Sequence, residues 1–349
     1  MVITAAKLYW LFLYTSKLRN LLVEIQDHVN KRVRCGKGHH YLEADLLGNR
    51  FTRSFGILVF IASILYSLNP PLQILVQYMK DTGKPYIYKL PYHFALGVDY
   101  SISPNYELIY TSSFLSLMPV LNAMVSANCL FFCFSLQIAA CFKDLQEMVE
   151  SIAERTLSQQ KYSIESDDGA SLIILVNANP EEEGIFHRNI RECLEFHATI
   201  IRWIDETGEA LSGIIAFEFA GCIFSFCTQA FQAALNIQSP EFLNSVVFFM
   251  AEGIELFLFA AFGERIATES TAIADSAFGT SWYRFPPRHR KYFGLMIQRA
   301  QRPCYLSALN WLHCSLESYM NVLKASFSMM ALLQNLNEKG GLSAEQEAI

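Results

Sequence analysis

Five stretches of this chain are too long and too apolar for the surface of a water-soluble domain, and they constrain the fold more than any other feature. They fall at residues 51–78, 106–142, 211–235, 242–262 and 303–336. Crossing the hydrocarbon of a bilayer as a helix takes about 20 mostly apolar residues. A chain in lipid must also satisfy its own backbone polar groups, so each stretch is expected as a membrane helix. The balance of residues agrees, with only 17% charged against about a quarter in ordinary soluble domains. A net charge of -6 argues against a nucleic-acid partner, which would call for a basic face.

Between these stretches the chain reads as follows. Residues 1–16 hold Leu8-Tyr9-Trp10-Leu11-Phe12-Leu13-Tyr14 and then turn polar, about half a span. A signal peptide is the rival reading, but no small-residue cleavage site follows. Residues 17–50 form a polar, helical segment, and Pro70-Pro71 are expected to bend the outer end of the first full span. The helix over 106–142 is expected to continue through Lys143-Asp144-Leu145-Gln146-Glu147, and residues 144–195 read as a polar, solvated segment carrying an acidic loop at Glu165, Asp167, Asp168 and Glu181-Glu182-Glu183. A helix over 187–235 would be about 70 Å long, more than twice the hydrocarbon thickness, so it must project beyond the bilayer. Residues 263–302 read as a polar linker, 303–337 as one last helix, and 338–349 as a tail.

Lys and Arg alternate across these segments. The loops at 15–54, 143–205 and 263–302 hold nearly all of them, while the alternate loops hold Lys80, Lys84 and Lys89, then none, then Lys339. Basic loops stay in the cytoplasm, so the C-terminus is expected outside. The same count asks for one more helix before Met1, as in a truncated chain. Nine cysteines fall in spans or on the cytoplasmic side, without CxxC spacing, so neither a disulfide nor a zinc site is expected. No cofactor is expected either. Glu218, Glu252 and Glu255 read as structural hydrogen-bonding groups, and His313 with Glu317 as a metal-compatible pair more suited to packing. No catalytic constellation can be assembled, so no enzyme is expected. Lys324 falls near the centre of the last span, where a charge should face water or a partner.

The order of features resembles the insect odorant receptor family over nearly the whole length. The similarity is carried by Gly263-Glu264, Ser281-Trp282-Tyr283, Arg290-Lys291, Gln298-Arg299-Ala300-Gln301-Arg302-Pro303 and Ser326-Phe327-Ser328, with Leu90-Pro91 and Ser103-Pro104 in an outer loop. Ala300 stands where the family usually has Ser, and Phe327 where it has Tyr. The resemblance implies an all-α membrane protein with about six of seven transmembrane helices present, the long helices extending into a cytoplasmic anchor domain. It implies a plasma-membrane subunit in the dendrite of an olfactory neuron, working with the odorant receptor co-receptor as a heterotetramer. It also implies a nonselective cation channel opened by small volatile ligands. The implied ligand site takes Ser63, Tyr66, Ser67, Phe114, Leu117, Met118, Leu121, Asn244, Phe248 and Met250, and the implied pore takes Lys324, Ser328, Leu332, Asn335 and Leu336. A gustatory receptor is the alternative, but its last helix usually ends Thr-Tyr, five apolar residues, Gln-Phe, where this chain has Ser328-Met329 and Asn335-Leu336. A transporter would show inverted repeats, and none is convincing.

Overall fold

Proline opens helices in this chain more often than it breaks them. Pro180, Pro240 and Pro287 each stand at the first position of a helix, where the missing N–H is no loss and the fixed φ suits the turn. The computed structural model describes residues 2–79, 105–159, 180–235, 240–280, 282–284, 287–309 and 312–347. The loop with Leu90-Pro91 and Ser103-Pro104, the acidic residues Glu165, Asp167 and Asp168, Ser281 and Trp311 lie outside them.

Seven helices carry the fold: α1 (Val2–Arg34), α2 (His39–Met79), α3 (Asn105–Gln159), α4 (Pro180–Leu235), α5 (Pro240–Gly279), the short α6 (Pro287–Ala300) and α7 (Leu316–Glu347). A two-stranded antiparallel hairpin, β1 (Ser307–Ala308) with β2 (Leu312–His313), precedes α7, in the register Ser307 to His313 and Ala308 to Leu312. Among the described residues, three helices have segments long and apolar enough to cross a membrane: 105–152 in α3, 186–232 in α4 and 245–279 in α5. The apolar half span at the start and the polar segment after it form one helix, α1. It ends where Gly36 takes φ +72° and donates to the Val33 carbonyl at 3.0 Å, a left-handed cap that spares any side chain.

By backbone contacts the chain divides into two compact units, Met1–Tyr9 with Leu46–Leu130 and Trp10–Asp45 with Phe131–Ile349. In the first, α2 and α3 pack through the buried Phe55, Ser67, Tyr106 and Leu117, while Ile57, Leu58 and Leu65 stay more than half exposed. Such apolar surface costs nothing in hydrocarbon.

The second unit has an aromatic core. Phe131 stacks on Phe259 with centroids 4.5 Å apart, and Phe132 lies 4.8 Å from Phe262; each such pair is worth about 0.5–1.5 kcal/mol beyond its buried area. Gly213 lets the indole of Trp10 lie against α4, where a Cβ would come within 2.2 Å of the ring, and Trp10 Nε1 donates to the Ala210 carbonyl at 2.9 Å. The polar start expected at residue 144 is only half right. Asp144 is wholly buried, accepting from Arg32 Nε at 2.7 Å, from the other guanidinium nitrogen, and from the Tyr41 hydroxyl at 2.9 Å. Burial pushes the Tyr41 phenol far above its usual range, so it stays a donor. Leu145, Val149 and Ile152 continue the buried face, so α3 follows the expected continuation through Glu147 and runs on to Gln159 as an amphipathic helix. Glu181, Glu182 and Glu183 likewise belong to the first turn of α4.

The largest correction concerns residues 303–315, expected as helix. Residues 303–309 and 312–315 run as an extended segment and two paired strands, and α7 starts only at Leu316. Apolar residues at helical spacing suggested otherwise, yet backbone hydrogen bonding decides it. The Cys304 N–H donates to Ser270 Oγ and the Leu309 N–H to Ser212 Oγ, each at 3.0 Å, and the Cys314 N–H to the Leu306 carbonyl at 2.9 Å. Side chains of α4 and α5 thus satisfy groups that a helix would have paired internally. His313 lies on β2, its ring 5.1 Å from that of Tyr305, so the helical pairing of His313 with Glu317 does not exist. At the far end α7 continues to Glu347, into the expected tail.

Candidate functional site

The start of α7 is built by three residues from two places in the chain. Ser315 caps the helix, its Oγ accepting from the Ser318 N–H at 3.2 Å. Glu264 of α5 accepts from the Leu316 N–H at 3.1 Å, adding a negative charge at the positive end of the dipole. Gly263 makes this possible: a Cβ there would stand 2.2 Å from the Cys314 carbonyl oxygen and 2.4 Å from its Cβ. The Gly263-Glu264 pair is therefore the seat on which the hairpin ends and α7 begins. Its role was not legible in the sequence, since its contacts lie some fifty residues on.

From that seat α7 presents two faces. Val322 and Ser326 are buried, and the Cys227 thiol of α4 lies 3.9 Å from the Ser326 carbonyl. Lys324, Ser328, Leu332 and Asn335, spaced by three or four residues along one face, are all exposed. Lys324 has no ion pair among the described residues, and the Leu336 side chain lies outside them.

The expected ligand residues of the first unit also share faces. Ser63 and Ser67 are four apart on α2, and Phe114, Leu117, Met118 and Leu121 follow the i, i+3, i+4, i+7 pattern on α3. Tyr110 of α3, absent from the expected set, joins the two helices by donating its hydroxyl to the Ser67 carbonyl at 2.7 Å. Ser63 Oγ bonds within its own helix, to the Val59 carbonyl at 2.6 Å. Ser67 is 1% exposed, and its Oγ has no hydrogen-bond partner among the described residues. On α5, Phe248 and Met250 are exposed; the Tyr66 and Asn244 side chains lie outside the described set.

A family model described as "7tm Odorant receptor" matches residues 1–327. The chain belongs to the odorant receptor family. This receptor is 23% identical to odorant receptor Or2 of Anopheles gambiae over 261 residues, 74% of its length and 63% of the relative's. It is 20% identical to odorant receptor 49a of Drosophila melanogaster over 289 residues, covering 82% of the receptor and 67% of the relative. Aligned stretches of three curated relatives span 36%, 63% and 38% of those relatives' own lengths. Among solved structures, the insect olfactory receptor OR5 from Machilis hrabei superposes with a TM-score of 0.71 at 14% identity, covering 95% of the receptor and 78% of that chain. Its complex with eugenol matches with a TM-score of 0.65. The all-α membrane architecture is thereby shared with a solved receptor, and the family is one of receptors rather than enzymes.

Two further features bear on chemistry. In the receptor Glu218 is buried in α4, with the Cys222 thiol 3.9 Å from its Oε1, while Glu252 and Glu255 are half-buried on α5. A cleft of about 310 Å³ between α4 and the end of α6 is lined by Ile204, Asp205, Arg299, Arg302, Cys304 and Tyr305. None of the expected ligand residues lines it, and its open, charged wall suits an apolar volatile poorly.

Proposed function

We propose that this receptor is the odorant-binding subunit of a ligand-gated, nonselective cation channel, assembled with the odorant receptor co-receptor as a heterotetramer. The observation that carries the reading is the exposed stripe Lys324, Ser328, Leu332 and Asn335 on α7. A helix among membrane spans that leaves a lysine, a serine and an asparagine uncovered needs water or partner subunits on that face. Four such helices around an axis would supply both. Leu332 and Leu336 form the apolar gate, which closes by dewetting, with Asn335 beside it and Lys324 tuning cation flow.

The ligand is a small volatile hydrophobic molecule, held by Ser63, Tyr66, Ser67, Phe114, Leu117, Met118 and Leu121, with Asn244, Phe248 and Met250 from α5. The eugenol complex of the structural relative supports this ligand class, and the Ser67 hydroxyl, without a partner among the described residues, offers such a molecule a polar handle. The protein works in the dendritic plasma membrane of an olfactory neuron, with basic loops in the cytoplasm and the C-terminus outside.

Co-expression with the co-receptor tests the reading. Odorant-evoked cation current is expected within a broad volatile panel, and Lys324→Gln and Leu336→Ser should alter selectivity or basal current. Silence across the panel from a chain that reaches the surface refutes the channel reading. Unchanged conduction in both variants refutes the pore assignment.

A further inference from the structure

Apart from α7 and the α2–α3 surface, one cluster gathers three donor side chains with the chemistry of a metal site. His39 and His40 open α2, and Glu147 stands on α3. His39 Nδ1 lies 3.9 Å and His40 Nε2 3.6 Å from one and the same oxygen, Oε2 of Glu147, and the three donor atoms all fall within 4.8 Å of one another. Both separations exceed a hydrogen bond, so neither histidine is hydrogen-bonded to the carboxylate. An ion held tetrahedrally at about 2.0–2.1 Å from each donor would set them about 3.4 Å apart. Both distances to Glu147 therefore need to shorten by only about half an ångström or less.

The donor set selects the ion. Two imidazoles and one carboxylate match Zn2+, Co2+ or Ni2+, whereas Ca2+ and Mg2+ favour all-oxygen shells and Cu+ favours sulfur. His39 is 62% and Glu147 48% exposed at the side chain, against 20% for His40. The cluster thus opens to solvent, leaving room for water as a fourth ligand. The neighbouring cation, Lys143, leans toward Glu269 at 3.6 Å. The joint also matters mechanically. Arg32 of α1 and Tyr41 of α2 already meet at Asp144 of α3, one helical turn before Glu147.

We propose that His39, His40 and Glu147 form a divalent transition-metal site of the zinc class that clamps the start of α2 to α3. The full chain, purified in detergent and stripped with EDTA, is titrated with Co2+ alone. The expected result is the visible d–d absorption of a four-coordinate cobalt site, lost when Zn2+ is added, and a rise in unfolding temperature with Zn2+. Ca2+ and Mg2+ at equal concentration should give no such rise. His40→Ala and Glu147→Gln should each lose the cobalt bands. His187→Gln, altering a histidine elsewhere, should keep them. Should His40→Ala fail to fold, the exposed His39→Gln replaces it. Two results overturn the site: no bands and no zinc-linked rise in the native chain, or bands and rise that survive in the His39→Gln, Glu147→Gln double variant.

Discussion

Replacing Gly263 with alanine should loosen the start of α7, and the structure sets the size of the effect. The new Cβ would sit 2.2 Å from the Cys314 carbonyl oxygen and 2.4 Å from its Cβ, more than an ångström inside ordinary contact. Both obstacles belong to the hairpin, so no flexible side chain can turn aside. Overpacking of this kind costs about 3 kcal/mol at the upper end of its usual range. Alanine returns about 1 kcal/mol of helix propensity over glycine, leaving a net loss of about 2 kcal/mol. At about 2–4 °C per kcal/mol, the unfolding temperature should fall by about 4–8 °C. The displacement also pulls Leu316 N–H from Glu264, which removes a cap from the start of α7. Gly294→Ala on α6 is the matched control, because a Cβ there meets nothing within 4 Å and only the helix gain remains. Thermal unfolding of both purified variants reads the contrast. If Gly263→Ala unfolds at or above the native temperature alongside Gly294→Ala, the hairpin is not seated on Gly263 and the reasoning fails.

Three other outcomes follow from named contacts. Asp144→Asn leaves the Arg32 guanidinium, whose side chain is 13% exposed, without its counter-charge, and should lower stability by about 3–5 kcal/mol; the Arg32→Met, Asp144→Leu double variant should recover much of it, and equal losses in single and double variants on thermal unfolding would contradict the pairing. Burial against Phe196 and Trp203 holds His28 below the usual histidine range, with Asp144 opposing and Arg32 and Lys31 reinforcing. The unfolded chain therefore takes up the proton first, so stability is full above about pH 6.5 and falls as pH drops through the folded value. Unfolding temperatures at about pH 7.5 and 5.5 should differ less in His28→Phe than in the native chain, and identical differences would remove His28 from the account. Ser67→Ala deletes a buried hydroxyl with no partner among the described residues, so it should leave stability equal or slightly raised while weakening the response to hydroxyl- or carbonyl-bearing odorants; an unchanged dose–response curve for such ligands would discard Ser67 as a contact.

Much of the architecture is legible because membrane helices declare themselves locally. Each span must satisfy its own backbone and face lipid with apolar side chains, and both demands are met within one stretch. Hence α2 to α5 emerge near their expected positions, with the helix over 187–235 reaching beyond a bilayer's thickness as its length requires. That Ser63 and Ser67 share a face of α2, and Phe114, Leu117, Met118 and Leu121 a face of α3, is legible in the same way, through helical spacing. Residues 303–315 were not, because their apolar pattern is compatible with a helix, and the partners that take up the Cys304, Leu309 and Cys314 N–H groups are Ser270, Ser212 and the Leu306 carbonyl. The burial of Asp144 was not legible either, because its partners Arg32 and Tyr41 lie more than a hundred residues upstream.

By itself the sequence determined the class: an all-helical membrane chain, its apolar spans, and a family recognisable in short motifs such as Gly263-Glu264. Only the tertiary structure decided what those motifs do. It made Gly263 a seat and Glu264 a cap, and it divided α7 into a buried and an exposed face. It also brought His39, His40 and Glu147 to one point. The physical reason is range. Helix formation and lipid solubility depend on residues three or four apart, whereas a close approach, a buried charge or a set of converging donors depends on which distant segments the packing brings together.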